Sequence, residues 1–181
     1  MIRDFYSVPI YTADISADAL LDLQALQQEQ TYQQNPQWRS HHISDLDFNS
    51  FPHTECAREE IESHGAQYLD MVGATPTCMR LLTAWFTKTQ PGEYAHVHSH
   101  QLNDISGVVY TSAEPDQGAI FFPRPWPEIG MTHWLSHAPD VFEVIPETGK
   151  IILFPSWLEH GVRTNTSTQD RYSYSFNALA E

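Results

Sequence analysis

Basic residues are scarce in this chain. Nine Lys and Arg stand against 23 Asp and Glu, and the 181 residues carry a formal charge of −14. Sequence-independent nucleic-acid binding needs clustered Lys and Arg, so the composition argues for no nucleic-acid partner, and an anionic membrane surface would repel the chain. The charge reads first as solubility, and the sharper reading is attraction of a cationic substrate. Cysteine is nearly absent. Cys56 and Cys78 lie far apart and make no CxxC, which argues against a zinc finger or a thiol redox site. Both are expected as buried small hydrophobes in a reducing compartment. Long uncharged apolar runs are missing, so no transmembrane helix is expected. The start, MIRDFYSVPIY, shows no basic region leading into an apolar stretch and a small-residue cleavage site. A cytoplasmic location is the resulting expectation. Repeats and low-complexity segments are absent as well.

What is present suits a folded globule. The chain is 41% apolar with five Trp, long enough to bury a core without disulfides and short enough for one domain spanning 1–181. The first forty residues read as helical. Ser16 is a candidate N-cap for SADALLDLQALQQEQ, in which Leu20, Leu21, Leu23 and Leu26 can share a buried stripe. A polar loop rich in Gln, Asn, Ser and His follows. A second helix is expected from about Thr54 to Met71, with Ile61, Tyr68, Leu69 and Met71 as its apolar positions and Gly73 past its end. After Pro76 the texture changes to short apolar or alternating runs: MRLLTAWFT, YAHVHSH, ISGVVYT, GAIFFP, VFEVIP, KIILFPS, HGVRTN and RYSYSFNAL. Breakers such as QPGE, EPDQG and PETGK separate them, which predicts an all-β sandwich or barrel. The alternation of Tyr172, Tyr174 and Phe176 with Ser173, Ser175 and Asn177 is a period-two signal. The fold class expected is mostly β, a jelly roll over about 79–180 with the helices of about 1–75 packed outside it.

The chemistry concentrates in HVHSHQLNDISGVVY, where His96, His98 and His100 occupy every second position. On one strand they would share a face, but the outer pair would be about 13 Å apart at roughly 3.3 Å per residue. Three cannot then bind one ion, since metal–nitrogen bonds are only about 2 Å long. Two neighbours of an HxH pair can converge through strand twist or a turn, and a further ligand must come from elsewhere. His160, in FPSWLEHGVRTN, is the candidate. Three protein ligands with open positions suit non-haem iron. Downstream, Arg171 and Ser173 point to one side of an alternating strand, and an arginine fork can grip a carboxylate with two parallel hydrogen bonds.

The pattern HxH…SGVVY, then PETGKIILFPSWLEH, then RxS with SFN resembles the small 2-oxoglutarate- and iron(II)-dependent oxygenases of bacteria and phages, of prolyl-hydroxylase type. The resemblance covers roughly Met79 to Ala180, and Pro146 to Asn177 is its most specific part. It implies a double-stranded β-helix (cupin-like) core, with Fe(II) and the cosubstrates 2-oxoglutarate and O2. It further implies His98 and His160 as iron ligands, and Arg171 and Ser173 on the distal carboxylate of 2-oxoglutarate. Most such oxygenases carry Asp or Glu where this chain has His100. The third position is therefore open between His100, water and Asp104 from the following loop. The implied reaction oxidises an unactivated C–H bond of a small-molecule, amino-acid or peptide substrate, by hydroxylation as the expected outcome, and releases succinate and CO2.

Other candidates are read from their surroundings. His96 is expected as a structural or pocket-wall residue. Tyr110 either hydrogen-bonds the cosubstrate from the next strand or packs in the core. Trp85, Trp126, Trp134 and Trp157 are expected in core or rim packing. Arg124, in FFPRPWPE, precedes a Pro- and Trp-rich stretch that reads as a lid with a substrate-binding arginine. Specificity is expected in the loops 34–49 and 123–137, and a homodimer is left open. The alternative reading is a three-His, cupin-like metal-binding protein with a different dioxygenase activity or no turnover. Arg171 speaks against it, because such a cupin needs no cationic anchor about eleven residues after the distal ligand.

Overall fold

The computed structural model describes residues 7–37, 40–44, 55–126 and 140–181. Eleven strands and two helices appear among them: β1 Tyr11–Asp14, α1 Ala17–Gln28, β2 Tyr32–Gln34, β3 His42–Ser44, α2 Glu55–Met71, β4 Met79–Thr89, β5 Ala95–His98, β6 Ile105–Ser112, β7 Ile120–Pro123, β8 Val141–Val144, β9 Lys150–Pro155, β10 His160–Val162 and β11 Arg171–Ala180. They form a seven-stranded sheet, β1-β9-β6-β11-β4-β3-β2, and a four-stranded sheet, β5-β10-β7-β8. All the pairings are antiparallel. This is the expected jelly roll, and the apolar runs after Pro76 became strands bounded by turn-forming residues, Gly and Pro or clusters of Ser, Asn, Asp and Thr.

The large sheet is buried on both faces, and alternation assigns each residue to one of them. Ile151 and Leu153 of β9, Ile105 and Val109 of β6, and Tyr174 and Phe176 of β11 join the core beneath the helices. Ile152, Phe154, Val108 and Tyr110 point the other way, into the layer facing the small sheet. On β11 this second face receives Arg171, Ser173 and Ser175, which line a cavity there. Gly107 sits where β6 crosses Phe176: a Cβ added there would lie 2.5 Å from Phe176 Cε2 and 2.7 Å from Leu153 Cδ2.

The helices pack outside the sheet as expected, but their buried stripes are narrower. Ser16 caps α1 by accepting from the Ala19 N–H at 3.2 Å, and its hydroxyl binds Glu60 of α2. A 12-residue helix is marginal alone. Leu23 and Leu26, exposed by 0% and 1%, each contribute roughly 1.5–3 kcal/mol on burial and hold α1 down. Ala19, four residues before Leu23, completes that stripe. Leu21 falls on the opposite side and is exposed, as is Met71 at the end of α2. Gly73 ends α2 at φ +67°, with Ala74 N–H bonded to Leu69 C=O and Gly73 N–H to Asp70 C=O, both at 3.0 Å.

The structure corrects the reading of the first forty residues as helical. β1 pairs with β9, and the polar segment after α1 supplies β2 and β3, which extend the large sheet beside β4. Short polar strands show no clear alternation, so sheet pairing overrode local pattern. Both cysteines are exposed rather than buried. Each sits one residue before the position that packs, Ala57 and Met79 respectively, and therefore faces outward. Trp126 and Trp157 are also exposed, while Trp85 is half-buried. Trp134 and most of the expected lid lie outside the described residues. No helix among those described is long and apolar enough to cross a membrane.

Candidate functional site

Strand register makes the first contact of the site. His98, at the end of β5, lies directly opposite His160, the first residue of β10. Cross-strand neighbours stand side by side, and the two ring centroids are 4.4 Å apart. A bulge follows at once. Val162 pairs with Ala95, so two residues of β5, His96 and Val97, oppose Gly161 alone. The extra residue slips the alternation by one. Ala95 and His98 therefore line the cavity, while His96 is exposed on the outside. The expected common face for His96, His98 and His100 does not form, and His96 belongs to no wall of the pocket.

His100 arrives by a different route. The strand ends at His98, and the chain turns so that the His100 ring lies 5.0 Å from His98 and 5.2 Å from His160. Its other face stacks on Trp85 of β4 at 5.8 Å and 23°. The potential ligand nitrogens of His98, His100 and His160 all lie within 4.8 Å of one another. Donors about 2 Å from one ion stand at most about 4 Å apart, so a small inward shift of the rings would bring all three onto one ion.

The protonation states suit a cation. Nδ1 of His98 meets the His96 carbonyl at 2.8 Å, and Nδ1 of His160 meets the Leu158 carbonyl at 3.0 Å. A carbonyl can only accept, so both protons sit on Nδ1 and both Nε2 atoms carry lone pairs. Burial drives the His160 pKa down to about 3, assisted by the neighbouring imidazoles, and Phe154 and Phe122 supply much of that apolar surround. Burial likewise lowers His100 to about 4 and pulls His98 below the ordinary histidine value. The three rings are neutral at physiological pH and offer their lone pairs.

The same cavity, about 240 Å³, holds an anion anchor. Arg171 is 2% exposed. Its Nη1 donates to the carbonyls of Gln117 at 3.0 Å and Gly118 at 2.6 Å, and Nη2 donates to Thr89 Oγ1 at 2.8 Å. Of five guanidinium N–H groups, three are thus engaged. Nε is buried without a partner, and Nη2 makes only the one bond, to Thr89. Nε–H and an Nη2–H together are able to form the fork that matches a carboxylate. An unpaired buried donor is costly, and a bound carboxylate is the group that would satisfy it. Ser173 and Tyr110, paired across β11 and β6, line the cavity beside this fork. The Arg171 guanidinium carbon lies 5.7 Å from the Tyr110 ring centre.

Two candidates do not join the cavity. The Asp104 carboxylate accepts from the Ala180 backbone N–H at 3.0 Å and stands outside the histidine cluster. Arg124 lines a separate, mostly apolar cavity with Trp126 and Phe142, and its Nη2 pairs with Asp140 at 2.8 Å. Conversely, the cavity gains residues that sequence reading did not single out. Asn35, Gln37 and His41 reach it from the hairpin of β2 and β3. His41 is buried with its pKa lowered to about 4 by burial, and its ring contacts Asn35 Nδ2 at 3.2 Å and Ser40 Oγ at 3.1 Å. The polar segment 34–49 was the available signal, but it held no pattern to separate His41 from His42.

Fold and side chains together define a double-stranded β-helix protein with a three-imidazole cluster facing a buried guanidinium. A sequence model described as "Putative 2OG-Fe(II) oxygenase" matches residues 83–177, more than half of the chain. The chain belongs to this family of 2-oxoglutarate- and Fe(II)-dependent oxygenases. No curated protein matches the sequence. Among solved structures, the fold is similar to HygX from Streptomyces hygroscopicus, whose crystals hold nickel and 2-oxoglutarate (14% identity, 95% of this chain and 83% of that one, TM-score 0.68). It is also similar to a prolyl-4-hydroxylase from Pseudomonas putida (13% identity, 97% and 94% covered, TM-score 0.66). A third is the epimerase SnoN of nogalamycin biosynthesis (11% identity, 95% and 78% covered, TM-score 0.69).

Proposed function

We propose that His98, His100 and His160 hold Fe(II), that Arg171 and Ser173 hold the distal carboxylate of 2-oxoglutarate, and that the protein hydroxylates an unactivated C–H bond of a small-molecule, amino-acid or peptide substrate. The observation that carries this reading is the pairing of two otherwise unexplained features in one cavity. Three neutral imidazoles converge there, and the buried Arg171 leaves its Nε–H without a partner. When bound, Fe(II) with 2-oxoglutarate and O2 supplies the oxidant: RH, 2-oxoglutarate and O2 become ROH, succinate and CO2.

The chain's own residues bind, orient and exclude water. Thr89 and the carbonyls of Gln117 and Gly118 hold the guanidinium in place at the cavity wall. Tyr110 walls the cosubstrate position from β6. Phe154 and Ile120 keep the histidine end apolar, and Asn35, Gln37 and His41 offer uncharged hydrogen-bonding groups to the substrate. Arg124 acts at a distance from this chemistry, in the separate cavity beside Trp126 and Phe142, as a contact for a bulkier substrate.

The test is succinate formation from 2-oxoglutarate with Fe(II) and ascorbate in the absence of any substrate. Slow turnover is expected, and it should vanish in His160→Ala. Metal binding without any affinity for 2-oxoglutarate would refute the proposal in favour of a cupin-like metal protein.

A further inference from the structure

His98 and His160 are each clamped through Nδ1 to a backbone carbonyl two residues away, but His100 has no such clamp. It lies beyond the end of β5, where strand pairing no longer fixes the chain. Its backbone N–H donates to the Ser156 carbonyl at 2.9 Å, and Ser156 N–H in turn binds the Asp104 carbonyl at 3.0 Å. Ser156 is completely buried. Its hydroxyl lies 2.8 Å from that of Ser106, and Ser106 donates to Asn177 Oδ1 at 2.9 Å. Asn177 Nδ2 then donates to Thr83 Oγ1 at 3.2 Å.

A hydroxyl has one proton, so the Ser106 proton is engaged on Asn177 and Ser156 must be the donor to Ser106. The chain of bonds has one direction, Ser156 to Ser106 to Asn177 to Thr83. It crosses β6, β11 and β4 in sequence. Thr83 is two residues from Trp85 on the same face of β4, and Trp85 stacks on His100. The path therefore begins at the residue whose carbonyl binds the His100 N–H and ends on β4 two residues from the ring that stacks on His100. Asn is disfavoured in strands, and Ser106 and Asn177 occupy central strands at 2% and 7% exposure. Apolar residues there would pack the sheet more simply, and a satisfied buried network instead adds rigidity.

We infer that Ser156, Ser106, Asn177 and Thr83 form a positioning network that sets where His100 stands relative to the other two imidazoles. The inference rests on the reading of His100 as the third metal ligand. The network replaces, for a histidine carried on a loop, the fixation that β5 and β10 give to His98 and His160.

Cobalt(II) titration tests it, with affinity and the visible absorption of the bound ion as readouts. Ser156→Ala and Asn177→Ala should weaken Co(II) binding about 10–100-fold and change the absorption band, while Ser156→Thr, which keeps the hydroxyl, restores both. A lower melting temperature with wild-type affinity and spectrum would overturn the inference, since a purely structural role predicts that pattern. Should Ser156→Ala fail to fold, Thr83→Val probes the same chain from its exposed end. A changed band supports the inference, and an unchanged one overturns it. His100→Ala separates the two layers. If it weakens Co(II) binding and Ser156→Ala does not, the network has no such role and the ligand reading stands. If His100→Ala binds like the wild type, both fall.

Discussion

Replacing Arg171 by Met isolates the anion anchor from the histidine cluster. Met is apolar and flexible enough to fill the space of the side-chain stem, and the hydrogen bonds of Arg171 go to Gln117, Gly118 and Thr89 rather than to the three imidazoles proposed to hold the metal. What disappears is the open donor pair, Nε–H and one Nη2–H. Hydrogen bonds to a charged group contribute about 1.5–3 kcal/mol each. The pair is thus worth about 3–6 kcal/mol, which at 1.4 kcal/mol per tenfold is roughly a 100-fold to 10,000-fold weaker Kd. Isothermal titration of 2-oxoglutarate into the Ni(II)-loaded protein measures it.

The cosubstrate provides the complementary perturbation. 2-Oxobutyrate keeps the chelating keto acid and lacks the distal carboxylate. It should bind the wild type about as poorly as 2-oxoglutarate binds Arg171→Met, and it should bind the variant no worse than the wild type. That closed cycle assigns the loss to a single carboxylate–guanidinium contact. The carbonyls of Gln117 and Gly118 lose their donor in the variant, so thermal unfolding is followed in parallel. A 2-oxoglutarate Kd within threefold of wild type in a folded Arg171→Met would refute the reasoning.

Three further outcomes follow from the same geometry. His98→Ala and His160→Ala should each weaken Co(II) by more than the roughly 10–100-fold expected of supporting residues, while Asp104→Asn leaves the affinity unchanged, because that carboxylate serves the Ala180 N–H. The metal-free protein should lose stability as pH falls from 6.5 toward 4. An unfolded histidine titrates near 6.5, but burial holds His41 and His100 at about 4 and His160 at about 3, so the unfolded chain binds more protons in that window. Melting temperatures at pH 7.5 and 5 measure the fall, and it should be shallower in His160→Leu. Gly107→Ala forces a methyl against Phe176 and Leu153 and should cost about 1–3 kcal/mol in urea unfolding. An unchanged midpoint would show that β6 can move away from β11.

Much of this was readable from residues alone, for a physical reason in each case. The strands after Pro76 were legible because turn residues bracket them and β-branched or aromatic residues fill them. The pairing of His98 with His160 was legible as a local pair needing a distant partner, and Arg171 with Ser173 as a period-two face. His96 was misplaced because a bulge is a property of two strands together, and nothing in HVHSH marks which residue is extra. Leu21 was misassigned because the leucine-rich α1 offers more than one stripe, and only the facing surface selects Ala19, Leu23 and Leu26; Met71 was misassigned because it is the last residue of α2, past the buried Tyr68 and Leu69. His41 stayed hidden because β2 and β3 are three-residue polar strands that exist only through pairing with β4.

The missing carboxylate has a consequence for charge that ties the site together. In the proposed site, three neutral imidazoles would leave a divalent ion its full charge of +2, and Arg171 adds +1. No Asp or Glu lines the cavity among the described residues. Dianionic 2-oxoglutarate would offset two of those three charges and leave the loaded pocket net positive. The acidic charge of the whole chain, −14, makes that excess tolerable at long range. At short range, within the low-dielectric pocket, the excess still disfavours a cationic group on the substrate. The surface charge and the cavity charge thus act in opposite senses. With the ligand set and cosubstrate proposed above, uncharged and anionic substrates would fit the interior better than cationic ones, whatever the exterior attracts.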